Sequence, residues 1–187
     1  MNLHQTDPEF MERYERFAGD EVVHEPGQTL DARTRHMAIL ATLLGCQGID
    51  EFREALPRAL DEGVTPVEAK EIVYQAVDYL GMGRVRPFLT TANDVLAARG
   101  VELPLPGQAT TSMDDRLEKG AQAQAEIFGP QMLEAWKQGH INRWLAANCF
   151  GDYYTRTGLT LAQREMITFC FLMAQGGCEP QLTPGAT

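Results

Sequence analysis

A cysteine that follows two glycines is the strongest candidate for chemistry in this sequence. Cys178 comes directly after Gly176-Gly177 and is followed by Glu179. If a helix begins there, its positive N-terminal end would lower the pKa of the thiol and favour the reactive thiolate. The alternative is a small buried side chain that packs like a hydrophobic residue. The remaining cysteines are predicted to fill the core: Cys46, Cys149 and Cys170.

Two further titratable side chains stand near the beginnings of apolar segments. Glu165, which follows Arg164, is a candidate proton relay, and the alternative is a solvated helix start. His36 is a weaker candidate for a general acid or base.

Arg84 and Arg86 could bind an anionic substrate because guanidinium groups suit carboxylates, and the alternative is that they form surface ion pairs.

Metal and dinucleotide sites are not predicted. The four histidines are dispersed and show neither HxxH nor HxH spacing, so no metal site is expected. Gly81 and Gly83 lack the G-x-G-x-x-G pattern and the preceding strand of a dinucleotide-binding fold. The sequence therefore predicts no cofactor.

The net charge of −10 limits the possible partners. It repels phosphate backbones and anionic lipid surfaces, so neither nucleic acid nor membrane is expected, and a small molecule is the expected ligand. The most apolar run, residues 166–174, is too short to span a membrane. The N-terminus shows no secretory signal, and four cysteines do not suggest a disulfide scaffold. We therefore expect a cytoplasmic protein.

Helix signals run along the whole chain and predict an all-α fold. The clearest is Thr65-Pro66-Val67-Glu68, where a capping box and a proline at the first helical position coincide. Strand-like alternation is not sustained anywhere. Helices are predicted at residues 9–18, 30–45, 50–63, 65–81, 84–99, 114–128, 130–138, 142–150 and 160–175. In the first 100 residues the predicted core consists of Ile39, Leu43, Phe52, Leu56, Ile72, Val73, Ala76 and Leu80.

An internal repeat is the next feature of the sequence. Residues 30–37 align with 159–166 at a constant offset of 129, which places His36 and Glu165 at equivalent positions. Upstream, Gly19-Asp20 matches Gly151-Asp152 at an offset of 132. A chance match of two helical segments is the alternative. We predict a complete first repeat at 1–100, a linker at 101–112 and a partial second repeat at 113–187.

The second repeat is shorter than the first. After Gly177 only ten residues remain, whereas the first copy continues through two or three further helices. The apolar helix 160–175 then lacks the partners of its counterpart. Either the sequence is incomplete at its C-terminus or another subunit covers that face, and we expect a homo-oligomer.

Three segments resemble the carboxymuconolactone decarboxylase family. They are Leu30-Asp-Ala-Arg-Thr-Arg35, the run from Ala59 through Gly63-Val-Thr65 to Glu68, and Tyr79-Leu-Gly81. The same superfamily contains the alkylhydroperoxidase D-like proteins. The resemblance implies an all-helical bundle that forms trimers or hexamers, and some members carry two tandem copies.

The resemblance leaves the activity open because most catalytic positions of the family differ here. The peroxidase branch has a Glu, a CxxC that begins twelve residues later and a His nineteen residues later. Glu165 matches the first position, and Cys178 matches the first cysteine after a one-residue slip, but CxxC is absent. In the first copy His36 replaces the Glu, and Ala55 or Leu56 replaces the His that the decarboxylase branch also needs. The expected function is thiol-dependent peroxidase (peroxiredoxin) or decarboxylase chemistry on a small molecule; the alternative is a non-catalytic scaffold or binding relative.

Overall fold

The computed structural model describes residues 2–179 and divides them after Asp31 into two compact units. The first unit contains α1 (Leu3–Thr6), α2 (Pro8–Arg16) and a π-helical continuation, π1 (Phe17–Glu21). None of its described side chains is buried, and Phe10, Tyr14 and Phe17 are exposed. This unit therefore has no hydrophobic core of its own.

The second unit holds the core and the remaining helices. Its elements are α3 (Ala32–Gly45), α4 (Ile49–Asp61), α5 (Pro66–Leu80), α6 (Met82–Ala98), α7 (Arg116–Phe128), a 3₁₀ segment (Pro130–Gln138), α8 (His140–Trp144), a second π-helix, π2 (Leu145–Tyr154), and α9 (Leu161–Gln175). The described residues contain no strand, and the predicted all-α class is confirmed. None of the described helices is long and apolar enough to cross a lipid bilayer.

The capping box at the start of α5 forms as predicted. The Thr65 hydroxyl accepts from the Glu68 backbone N–H at 3.2 Å, and the Thr65 N–H donates to the Glu68 carboxylate at 2.8 Å. Arg33 of α3 pairs with the same carboxylate. One local signal thus fixes the beginning of α5 and ties it to α3.

The core of the second unit is formed mainly by α3, α4, α5, α6 and α9. Six of the eight core residues predicted from the sequence are buried: Phe52, Leu56, Ile72, Val73, Ala76 and Leu80. Two predictions were wrong. Ile39 is 39% exposed, and Leu43 is only partly buried against the edge of the core. Because α3 is apolar on nearly every side, its sequence does not indicate which side faces outward.

Helix α9 packs against α3 and α5, which corrects the expectation that its apolar side lacks partners within the chain. The two helices α3 and α9 run in the same direction, since Gln163 contacts Met37 and Gly45 lies against Phe171. A Cβ at position 45 would lie 2.6 Å from the Phe171 carbonyl oxygen, so glycine permits this close approach. The opposite side of α9 still exposes Phe169 and Met173.

Glycines also allow α7 and π2 to approach closely. A Cβ at Gly120 would overlap the Ala146 carbonyl oxygen, and a Cβ at Gly151 would overlap the Arg116 carbonyl oxygen. The segment 101–112 that precedes α7 contains no helix. The predicted division into repeats and linker stays a prediction, although both Gly-Asp pairs of the proposed repeat lie in π-helices.

Candidate functional site

The structure places Cys178 just beyond the end of α9. Its Sγ lies 3.4 Å from the Gly176 carbonyl oxygen and 3.8 Å from Nε2 of Gln175. Both preceding glycines have positive φ, 74° and 69°, a backbone conformation that favours glycine. The helix that Cys178 was expected to open lies almost entirely outside the described residues.

Glu165 and His36 are not brought to Cys178. Glu165 lies in the first turns of α9, and the ten residues from there to Gln175 span about 15 Å of helix. His36 lies near the start of α3, and its Nδ1 is buried without a partner among the described residues. Burial lowers the pKa of His36, Glu62 opposes this, and Arg35 and Arg58 add to it.

Arg84 and Arg86 lie in the first turns of α6, and both are exposed. They do not line the pocket described below. Their role in substrate binding therefore stays a prediction.

A buried acid with two arginines is the strongest electrostatic feature of the second unit. Glu71 of α5 accepts from Nη2 of Arg164 at 3.0 Å and from Nη2 of Arg156 at 2.8 Å. Glu71 is 1% exposed and Arg164 is completely buried. Two cations share one anion, so this triad carries a net charge of +1.

The bonds around Arg164 explain how a charged side chain is tolerated there. Its guanidinium donates to Oε1 of Gln75 at 2.9 Å and to the backbone carbonyl oxygens of Arg156 and Thr157 at 2.9 and 3.3 Å. Burial lowers the pKa of Arg164, and the bond to Glu71 opposes that effect. The hydrogen bond to Glu71 raises the pKa of Arg156. Both arginines remain cationic near neutral pH.

A chain of hydroxyl groups continues from Gln75 across the interior. Gln75 Nε2 donates to the Thr168 hydroxyl at 3.4 Å, and Thr168 lies 3.2 Å from the Tyr154 hydroxyl. The Tyr154 and Tyr79 hydroxyls are 2.9 Å apart, and Tyr79 is 3.8 Å from Sγ of Cys149. Residues of α5, π2 and α9 thus meet in one hydrogen-bonded network.

Two carboxyl groups lie near this network. At one end burial raises the pKa of Asp78 from 3.8 to about 6; the Cys149 thiol opposes the increase, and Asp152 adds to it. At the other end Glu165 lies beside the Tyr154 hydroxyl, whose pKa is raised by burial and then by Glu165. Burial first, and then the charges of Asp78 and Glu165, raise the pKa of Cys149, so this thiol stays protonated.

The π-helical geometry of π2 makes this network possible. Cys149 and Tyr154 are five residues apart, yet both contact the Tyr79 hydroxyl. In an α-helix, side chains five residues apart point about 140° away from each other. The wider i→i+5 hydrogen bonding of a π-helix brings them to the same side.

A pocket of about 460 Å³ opens between α5 and π2. It is lined by Tyr74, Asn148, Asp152, Tyr153 and Arg156. The Arg156 guanidinium lies 5.3 Å from the centre of the Tyr74 ring. Asp152 is paired with Arg116 and accepts a hydrogen bond from Asn148 at 2.9 Å, so its charge is compensated.

Asp78 lies close to this pocket. Burial raises the pKa of the pocket residue Tyr153, and the charge of Asp78 raises it further. Asp152, which lines the pocket, raises the pKa of Asp78. One Asp78 oxygen, Oδ2, is buried without a partner among the described residues. The pocket thus combines a cationic guanidinium with two phenols, and Asp78, which can hold a proton near pH 6, lies close to it without lining it.

Within residues 2–179, no group of three or more His, Cys, Asp or Glu side chains is arranged to hold a metal ion. The site residues that sequence reasoning missed are Asp78, Tyr79, Cys149, Tyr154 and Arg156. Cys149 and Cys170 were correctly predicted to be buried, whereas the same prediction for Cys46 was wrong, since Cys46 is exposed just beyond the end of α3. Tyr79 stood in the family motif without a role. The others carried no local signal, because their contacts join segments far apart in the chain.

Known proteins are similar in sequence to the first part of this chain. The carboxymuconolactone decarboxylase family matches residues 8–94, which include α5 but not π2. A 4-carboxymuconolactone decarboxylase from Acinetobacter baylyi is 31% identical over 100 residues, which are 54% of this chain and 73% of that relative. The family segments noted in the sequence fall in α3, α4 and α5 or at their ends. The chain therefore belongs to the carboxymuconolactone decarboxylase family.

Proposed function

We propose that the protein is an enzyme that removes a carboxyl group from a small carboxylated molecule in the pocket between α5 and π2. The relative named 4-carboxymuconolactone decarboxylase supports this reaction type, and 4-carboxymuconolactone is the first substrate to test. The observation that carries the proposal is that Arg156 lines the pocket and that Asp78 acts on the neighbouring pocket residue Tyr153.

Arg156 supplies positive charge to the pocket. Its Nε and Nη2 donate to Glu71, which fixes the guanidinium plane. The third nitrogen, Nη1, makes no bond to Glu71. The triad of Glu71 and two arginines has a net charge of +1, so an anion in the pocket compensates it. Guanidinium donors suit both carboxylates and the oxyanions that form during a reaction.

Asp78 supplies the proton that decarboxylation requires. The bond between the substrate carbon and its carboxylate breaks, CO₂ leaves, and the electron pair stays on the substrate, where a conjugated carbonyl oxygen can delocalise it. A proton then replaces CO₂ on carbon. A carboxyl group whose pKa lies near 6 can donate that proton and recover it from solvent around neutral pH.

The peroxidase alternative has less support in the described residues. Peroxide reduction at Cys178 needs a second thiol to close a disulfide. The hydrogen-bond partners of the Cys178 sulfur among the described residues are Gln175 and Gly176, and neither is a thiol. The side chains that line the pocket include no cysteine. Decarboxylation at the pocket therefore accounts for more of the geometry.

The experiment measures CO₂ release and loss of 4-carboxymuconolactone with the purified chain. We expect Asp78→Asn to lower kcat about 10²-fold or more, the usual contribution of a general acid. Arg156→Lys keeps the charge but loses the planar fork, and we expect it to raise KM. Cys178→Ser and Arg84→Gln are the matched controls for the sites predicted from the sequence.

Two results would contradict the proposal. If the wild-type protein releases no more CO₂ than the Asp78→Asn variant, the decarboxylase proposal fails and the non-catalytic alternative remains. If the wild type shows no decarboxylation but consumes peroxide with a thiol donor, and Cys178→Ser does not, the result would indicate peroxidase chemistry at Cys178, beyond the end of α9.

A further inference from the structure

We propose that the buried Arg164 is a positioning residue that allows Arg156 to attract an anion into the pocket. Arg156 lines the pocket, but it is paired with the carboxylate of Glu71, which on its own would offset the charge of Arg156. Arg164 adds a second cation to the same carboxylate. It is completely buried and does not line the pocket, so it acts through Glu71 and Arg156. The inference concerns the pocket of the proposed function, on which it rests, but it needs no chemical step.

The bonds on Glu71 show that one carboxylate serves two cations. Its Oε1 accepts from Nη2 of Arg156 at 2.8 Å, and its Oε2 accepts from Nη2 of Arg164 at 3.0 Å. Nε of Arg156 donates to both oxygens, at 3.1 and 3.0 Å. Because both guanidinium groups are always protonated, one negative charge cannot neutralise them together. One positive charge therefore remains on the triad.

The other partners of Arg164 do not cancel that charge. Among the described residues they are Oε1 of Gln75 at 2.9 Å and the backbone carbonyl oxygens of Arg156 and Thr157 at 2.9 and 3.3 Å. All three are neutral acceptors, so they stabilise the cation and leave its charge in place. Buried charges are screened much less by salt than exposed ones, so the charge of Arg164 extends to the neighbouring pocket.

Arg164 also fixes the position of Arg156. Its Nη2 donates to the backbone carbonyl oxygen of Arg156 and to the carboxylate of Glu71, which in turn holds the Arg156 side chain. Arg156 is thus held at its backbone and at its guanidinium group, while its Nη1 makes no bond to Glu71. A donor that is already in place needs no rearrangement when an anion arrives.

The other charged groups near the pocket stay constant when Arg164 is changed. Asp152 lines the pocket and is paired with Arg116, so these two charges offset each other. Lys70 is a further cation, 5.3 Å from the centre of the Tyr74 ring. Asp78 has a pKa of about 6, so it is mostly protonated and neutral at about pH 5. Anion binding at that pH therefore reports the charge of the triad against a fixed background.

The test is a titration of the full-length protein with formate at about pH 5, followed by NMR at the Nε–H signal of Arg156. Formate is the smallest carboxylate, so the shape of the pocket does not exclude it. Arg164→Met makes the triad neutral, and we expect formate to bind about tenfold more weakly, the effect of one unit charge at this range in an effective dielectric near 20. Arg164→Lys keeps the charge and should recover most of the affinity.

A double variant separates charge from structural damage. Arg164→Met combined with Glu71→Gln removes one charge of each sign and leaves Arg156 as the only cation, so the net charge is again +1. We expect it to bind formate about as tightly as wild type, whereas damage to the pocket would add up in the double variant. It also leaves no unpaired charge in the interior, so it can be measured if Arg164→Met alone does not fold.

Two controls accompany the titration. The Nε–H signal of Arg84, which is exposed on α6, reports unspecific anion binding, and formamide is the neutral counterpart of formate. The proposal is overturned if Arg156 of wild type binds formate no better than Arg84 does, if Arg164→Met binds it as tightly as wild type, or if the double variant does not regain binding. Formate binding that follows the charge, together with absent CO₂ release, would reject the proposed reaction and retain the role of Arg164.

Discussion

Replacing Asp78 by Asn should make the protein less sensitive to alkaline pH. Burial is the main reason why the folded protein holds the Asp78 proton more tightly than a solvated carboxyl does. The folded-state pKa lies above the unfolded value, so the stabilising contribution of protonated Asp78 is fully present below about pH 4. That contribution is lost as pH rises through about 6. The Asn side chain is neutral at every pH, so the variant has no such pH-dependent contribution to lose.

The size of the effect follows from the two pKa values. One pKa unit corresponds to about 1.4 kcal/mol, and the pKa rises from 3.8 to about 6, so ionised Asp78 destabilises the fold by about 3 kcal/mol. The pH-independent part of the substitution, such as the new amide hydrogens, cancels when two pH values are compared. The difference between variant and wild type should therefore become more favourable to the variant by about 2–3 kcal/mol between about pH 4 and pH 8.

Urea denaturation at both pH values gives the required free energies of unfolding. The control is Asp94→Asn on α6, which removes an exposed carboxyl group in place of the buried one. A difference for Asp78→Asn that is the same at both pH values would refute the reasoning, because Asp78 would then titrate alike in the folded and unfolded states.

Four further outcomes are expected. Glu71→Gln should lower the free energy of unfolding by about 3–5 kcal/mol in urea denaturation, because it leaves the buried Arg164 without its anion. Thr65→Ala should cost about 1 kcal/mol in the same assay through loss of the capping box. Gly120→Ala should lower the melting temperature because its Cβ overlaps a carbonyl oxygen of π2, whereas Gly83→Ala, with open space around it, should not. Sedimentation is expected to show a homo-oligomer, and a compact 20.8 kDa particle at micromolar concentration would contradict this.

Helix positions were predictable because the signals that set them are local. The capping box of Thr65 and Glu68 lies within four residues of chain, and the predicted limits of the 3₁₀ segment coincide with those in the structure. One helix start was wrong: a helix was predicted to begin at Asp50, but the N-cap of α4 is Gly48 and Asp50 lies in the first turn. An acid stabilises either position near a helix N-terminus, so the sequence does not separate them.

The site was less predictable because it depends on which helices meet. Arg164 is an example: it was treated only as a neighbour of Glu165, because arginine is rarely fully buried unless it is paired. Its partners Glu71 and Gln75 lie on α5, far away in sequence. Asp78 likewise looks like an ordinary polar residue of α5 until Cys149 of π2 is placed beside it.

The π-helix gives the candidate site an unusual dependence on chain length. Substitutions within π2 change one side chain at a time, but deletion of a single residue between positions 149 and 154 would shorten their separation to four. That spacing suits ordinary α-helical bonding, in which residues four apart lie on the same side of the helix. A relative that lacks one residue here should therefore hold the equivalents of Cys149 and Tyr154 on Tyr79 with an ordinary α-helix, whereas the five-residue spacing of this chain requires the π-helix.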